Sequence, residues 1–209
     1  MLEKKPIIAE KGFLQNLRQL HPYQTMMYMA MAGSGFLFLV ILVAYSVQRF
    51  QFQNAQLQIT LPKAFYASTA FMLLSAACIK IAKNYILRDQ LKPASNMLAG
   101  VFLLAMGFAG CQVWGWMEFY TKGFQLTGNN VASSYVYILS GIHLFHVALA
   151  LGFLLYILIP FYRNSRHVVN ELIFVTNPYQ KKKMNMLFVF WTYVDVVWLV
   201  MFFYFALTF

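Results

Sequence analysis

The chain has 209 residues, 61% hydrophobic, 18% aromatic and 11% charged, with a formal net charge of +10. Soluble domains carry about 25% charged and 45–50% apolar residues, so this composition excludes a soluble enzyme, a disordered tail and a nucleic-acid-binding domain. Cys78 and Cys111 form no C-x-x-C pair and lie in apolar runs, so no disulfide framework is read from them.

Residues 1–24 form an N-terminal cytoplasmic or interfacial segment. Within residues 7–20, Phe13, Leu14, Leu17 and Leu20 share a face that excludes Lys11 and Arg18. The pattern predicts either a short helix on the membrane surface or a frayed terminus. Residues 25–209 form a single transmembrane domain. A bilayer core about 30 Å thick takes roughly 20 residues of helix, and five apolar stretches meet that length. They are predicted at about 26–47, 64–86, 97–119, 135–162 and 184–209. The first apolar run starts too late and is too long for a cleavable signal peptide. The second passes Lys80 and Lys83, whose stems can reach the headgroups. Lys92-Pro93 precedes the third, Thr127-Gly128-Asn129-Asn130 separates the third from the fourth, and Pro160 closes the fourth. The expected fold class is an all-α membrane protein, a bundle of five transmembrane helices.

Charge sets the expected orientation. Thirteen basic residues fall in the N-terminal segment and the second-to-third and fourth-to-fifth connectors, against Arg49, Lys63 and Lys122 on the other side. The N-terminus is therefore expected in the cytoplasm and the C-terminus outside. The same distribution removes nucleic acid as a partner, because the positive charge is a topology signal and an attraction for anionic headgroups.

Ionisable groups at depth are costly and mark function or helix pairing. Four qualify: Glu118, His143, His146 and Asp195. His143 and His146 lie three apart and share a helical face. Counting about 1.5 Å per residue places Glu118 and His143 both about 30 Å from the cytoplasmic ends, His146 at about 24 Å and Asp195 at about 17 Å. Glu118 is thus the better-matched partner for His143, and an Asp195–His146 contact needs a shift of one turn. The simplest reading is that histidines and acids satisfy each other between packed helices. A zinc or iron site needs third and fourth ligands that are not evident. A bis-histidine haem needs histidines from facing helices, yet both stand on one span. A proton path or a lipid-headgroup site completes the alternatives.

Other residues read as packing. Met26, Met27, Met29 and Met31 resemble soft copper ligands but are expected to fill gaps in an apolar interior. Gly107, Cys111 and Gly115 make a stripe that lets a neighbouring helix approach. No phosphate loop, G-x-S-x-G or H-E-x-x-H motif is present.

Ser140-Gly-Ile-His143-Leu-Phe-His146-Val resembles the G-x-H-x-x-H-V signature of haem-copper oxidase (cytochrome c oxidase) subunit III. Trp191-Thr-Tyr-Val-Asp195-Val-Val-Trp198-Leu is similar to that family's W-H-F-V-D-V-V-W-L. Gln112, Leu126-Thr-Gly-Asn129 and Leu61-Pro62 with Ser68-Thr69-Ala70 fall where short bacterial members have similar residues. The likeness covers most of the chain from about residue 25, and the five-span length matches the short bacterial form that lacks the first two helices. It departs at Gly33-Ser34-Gly35, where long members have a buried glutamate, at Thr192 for the motif histidine, and at Asn185 and Gly115 for two acids. Only His143, His146, Asp195 and Trp198 match residue by residue.

The resemblance implies a subunit without haem or copper of its own, those cofactors belonging to partner subunits. It implies packing against subunit I in a complex with subunit II, bound phospholipid, and support of proton uptake and durability during reduction of O2 to water. A bacterial plasma membrane is the implied location, with membership of a larger respiratory supercomplex left open. Service in a quinol oxidase or beside a nitric oxide reductase stays an alternative. A small transporter is a further one, though it predicts repeats or broken helices that the chain lacks.

Overall fold

In a computed structural model of the chain, the described residues are 22–51, 61–124, 126, 131–164 and 177–208. They form five helices: α1 (Pro22–Gln51), α2 (Lys63–Leu87), α3 (Leu91–Thr121), α4 (Val131–Asn164) and α5 (Pro178–Thr208). All five are long and apolar enough to cross a membrane. The expected surface helix at 7–20 and the 127–130 connector lie outside the described residues.

Proline marks four of the helix starts: Pro22 and Pro178 open α1 and α5, Pro62 caps α2, and Pro93 sits in the first turn of α3. In the first turn the backbone N–H has no intrahelical acceptor, so a residue lacking it costs nothing there. Pro160 behaves differently from expectation. It does not close α4, which runs on to Asn164. One lost backbone bond near the end of a long membrane helix is tolerated, because adjoining groups or water can satisfy the freed carbonyl.

Two helix ends share one stop geometry. At the end of α3 the Phe124 N–H reaches the Phe119 carbonyl at 3.0 Å and the Gly123 N–H reaches Tyr120 at 3.0 Å. Gly123 takes a φ of 82°, the left-handed conformation this cap requires. The Phe119 and Phe124 rings meet edge to face, closing the cap with an apolar contact. At the end of α2, Gln90 N–H bonds Tyr85 and Asp89 N–H bonds Ile86, with Asp89 in the left-handed position at φ 59°. Aspartate tolerates that region better than most side chains. The turn leaves α2 and α3 as a tight antiparallel hairpin.

Helices α2 to α5 form a ring in which α2 packs on α3, α3 on α4, α4 on α5, and α5 closes onto α2. Helix α1 packs from outside into the groove between α4 and α5. Buried residues of α3 recur at alternating intervals of three and four from Leu98 to Phe119, the spacing of supercoiled antiparallel neighbours. The expected stripe on α3 does admit α2, through rings rather than backbone. A Cβ at Gly115 would stand 2.8 Å from the Phe65 ring, and one at Gly107 would stand 3.1 Å from Phe71.

The methionines of α1 correct an expectation. Met26 and Met29 are about 70% exposed, beside exposed Phe36, Leu39 and Val43. These two fill no gap within this chain, because α1 has bundle neighbours on one side only and its other side faces outward, whereas Met27 and Met31 are half-buried.

The charged ends are asymmetric. Lys181 at the start of α5 pairs with Asp89 in the α2–α3 turn at 3.8 Å. This places the turn at Arg88, with Lys80 and Lys83 late in α2 and Lys92 early in α3, toward the same end as Lys181, Lys182 and Lys183. Lys63 and Lys122 stand at the opposite helix ends.

Candidate functional site

The residues singled out from the sequence converge on the ring interior. Trp191, Asp195 and Trp198 are spaced four and three apart on α5, so one face presents all three. All three are buried. That face closes onto α2 through two indole donors: Trp198 Nε1–H to Thr69 Oγ1 at 3.1 Å, and Trp191 Nε1–H to Ser75 Oγ at 3.3 Å. Each hydroxyl passes its own proton to a carbonyl of α2, Thr69 to Phe65 and Ser75 to Met72, both at 2.8 Å. A Ser or Thr in a membrane helix bonds its own preceding turn, which leaves an oxygen lone pair to receive the tryptophan. Helix α3 joins through Gln112, whose Nε2 donates to Ser68 Oγ at 3.1 Å, and Ser68 in turn donates to Phe65.

His143 of α4 enters this seam as a ring. Its imidazole lies 5.1 Å from the Trp198 indole at 32°, with Phe108 edge-on to both at 5.6 Å and 5.0 Å. Phe65 stacks on Trp198 from the other side at 6.0 Å and 12°. Phe38 of α1 reaches both histidine rings, at 6.4 Å to His143 and 5.4 Å to His146. The two histidines therefore share a face, as their spacing predicts.

The pairing expected for that face does not form. Glu118 accepts from Lys122 at 2.7 Å, one turn along its own helix and at a partly exposed position. Glu118 is not level with His143: Trp116 bonds Ser140 and Phe119 meets Tyr137, whereas His143 lies against Phe108. Glu118 also stands about 240° around α3 from the interior residue Gln112, by the 100° rotation per residue. Depth counts only the rise along the axis and takes no account of that rotation. His146 Nδ1 lies 2.8 Å from the Ile142 carbonyl of its own helix, which makes it the donor. Neither nitrogen of His143 has a hydrogen-bond partner among the described residues, nor does Asp195 Oδ1 or Gln112 Oε1. Lys80 of α2 is within electrostatic range of Asp195. Among the described residues no group of three or more His, Cys, Asp or Glu converges as a metal site.

Further contacts escaped the sequence reading. Trp116 Nε1–H donates to Ser140 Oγ at 2.9 Å, joining α3 to α4, while Ser140 donates to Val136. The Tyr137 hydroxyl lies 3.0 Å from the carbonyls of both Trp116 and Phe124, securing the end of α3. In α1, Ser34 Oγ meets the Tyr193 hydroxyl at 2.7 Å, and Gly35 leaves room for that ring. About three turns further along both helices, Ser46 meets Tyr204. These two hydroxyl pairs tie α1 to α5.

The arrangement has the chemistry of a lock: four helices joined by side-chain hydrogen bonds around an aromatic centre. The family model of cytochrome c oxidase subunit III matches residues 53–208.

The chain belongs to the cytochrome c oxidase subunit III family.

The match covers α2 to α5, the ring with its four tryptophans and two histidines, and places both sequence motifs within family territory. Comparison with curated proteins returns no match. Members of this family are helical membrane proteins that carry no redox centre of their own and associate with other oxidase subunits. The multi-pass architecture of the chain agrees with that description.

Proposed function

We propose that this chain is the non-redox subunit III of an aerobic respiratory cytochrome c oxidase in a bacterial plasma membrane. In this role it packs against subunit I beside subunit II and steadies the lipid and proton-uptake surroundings of the large subunit. The complex reduces O2 to water while moving protons across the membrane. Haem and copper reside in the partner subunits. The basic ends of the helices face the cytoplasm, in keeping with the excess of Lys and Arg there.

One observation carries the reading. The two motif-bearing helices bring His143 and Trp198 together in a buried aromatic centre, from which the Trp198 N–H bonds Thr69 of α2. Subunit-like chemistry follows from the outside of the bundle as well. Helix α1 buries only 6% of its most apolar stretch against 28–44% in the other helices, leaving a long apolar surface for lipid or a larger neighbour.

Purification of the tagged chain in mild detergent, with identification of its companions, tests the proposal. The expected companions are a haem-bearing large subunit and a subunit with a copper-binding Cys/His/Met motif. Recovery of the chain as a solitary unit with a stoichiometric haem Soret band rejects it.

A further inference from the structure

Tyr45 is a buried phenol that the helix lock does not use. It stands about two turns before the end of α1, with Tyr135 about one turn into α4 and Tyr204 about one turn before the end of α5. Its ring centre lies 5.5 Å from Tyr135 at an interplanar angle of 50°, and 5.7 Å from Tyr204 at 73°. Tyrosines near a helix end ordinarily anchor it at the membrane surface. Tyr45 is instead enclosed, while Tyr135 and Tyr204 are half-buried and reach the outside of the bundle. Two routes therefore lead from lipid to the enclosed ring.

The two routes differ chemically. Ser46 donates to the Leu42 carbonyl at 2.8 Å, so it accepts from the Tyr204 hydroxyl, whose hydrogen is thereby engaged. Tyr204 also meets Tyr45 in a T shape, which sets the edge of one ring over the face of the other. Tyr135 meets Tyr45 at the lower tilt, which lets two ring edges approach.

We infer that Tyr45 and Tyr135 form a radical-trapping site whose substrate is a lipid peroxyl radical and whose product is a Tyr45–Tyr135 cross-link. A peroxyl group is more polar than the acyl chain that carries it and moves toward the headgroups, the level of this end of the bundle. The first radical takes the hydroxyl hydrogen of Tyr135 and becomes a hydroperoxide. Tyr135 recovers a hydrogen atom from the adjoining Tyr45 hydroxyl, and a second radical takes it again. The two phenoxyls then join through ring carbons beside their oxygens. One C–C bond forms, two ring C–H bonds break, and those hydrogens return to the oxygens. Two peroxyl radicals have become two hydroperoxides, and the tyrosine pair has lost two hydrogens. The link fastens α1, which lies outside the ring, covalently to α4. The inference goes beyond the subunit role above and depends on the chain's crossing a membrane, not on its redox partners.

The test uses the full chain in vesicles of polyunsaturated phosphatidylcholine, with peroxyl radicals raised by a lipid-soluble azo initiator and peptides read by mass spectrometry. The expected product is a single chain whose Tyr45 and Tyr135 peptides are joined with loss of two hydrogens. Tyr45→Phe and Tyr135→Phe keep the rings and abolish the link, whereas Tyr204→Phe and Tyr193→Phe leave it in place. A tocopherol-type phenol added to the bilayer intercepts peroxyl radicals and suppresses it. If Tyr45→Phe does not fold, the sequences of the joined peptides in the unsubstituted chain decide. Absence of the link while hydroperoxides accumulate, a link between two chains or at other tyrosines, or a link insensitive to the tocopherol overturns the inference.

Discussion

Trp198 presses its indole against the His143 imidazole, 5.1 Å between centres, while sending its N–H away to Thr69 on a third helix. His143 is thus used as a flat plate between Trp198 and Phe108, with both nitrogens lacking partners among the described residues. An unpartnered polar atom in an apolar interior costs about 1–3 kcal/mol. His143→Phe retains the plate and removes that cost, so its melting temperature in detergent should equal or exceed the wild-type value. His143→Gln removes the plate and keeps the polarity, and should melt lower. A His143→Phe variant markedly less stable than the wild type would show that the nitrogens bond something essential.

Trp198→Phe removes the donor to Thr69 but keeps most of the packing. Bonds of this kind between membrane helices average about 0.6 kcal/mol, so a loss near that size is expected. Trp198→Ala also empties the centre of the ring and should cost about 3–5 kcal/mol. Unfolding titrations of both variants separate the hydrogen bond from the packing, and equal losses would contradict the packing assignment.

Glycines of α3 divide by their surroundings. Gly115→Ala drives a methyl to 2.8 Å from Phe65, itself stacked on Trp198, so it should destabilise the seam. Gly100→Ala and Gly110→Ala meet nothing within 4 Å and should be neutral or stabilising by up to about 1 kcal/mol through helix propensity. Thermal melts of the three variants check the order.

Asp195 lies between two tryptophan donors with Oδ1 unpartnered, whereas Glu118 forms a partly exposed pair with Lys122. Asp195→Asn should lower recovery of the assembled complex while the haem spectrum of what assembles stays unchanged. Glu118→Gln should change neither by more than the small effect of a surface pair, about 0–1 kcal/mol. Pull-down yield and visible spectra of the two variants, taken side by side, decide this. A changed spectrum with full assembly for Asp195→Asn would contradict its structural role.

The five helices were legible because crossing a bilayer demands a length of apolar chain that composition reveals directly. The common face of His143 and His146 was legible too, since spacing fixes rotation within one helix. Rotation between helices was not. Glu118 lies further along α3 than the residues that face His143, and it points toward Lys122 because α3 turns Gln112 and Gly115 inward. Ser75 gave no signal, since a serine bonded to its own helix carbonyl reads the same whether or not an indole reaches it. The outward methionines of α1 were misread for a related reason: hydropathy reports a membrane solvent and does not say which side has a protein neighbour.

The tight link at Arg88–Gln90 has a consequence for biosynthesis. Two spans joined so closely can leave the insertion machinery as one paired unit, with their mutual face sealed before the rest of the chain is made. The ring then waits for α5, which is translated after the four other helices and whose indoles must find hydroxyls 116 and 129 positions upstream. A polypeptide released before its final segment would hold a finished hairpin in an open-sided barrel of staves, exposing Ser75 and Thr69 to lipid. Membrane quality control could recognise a stalled product by those bare hydroxyls.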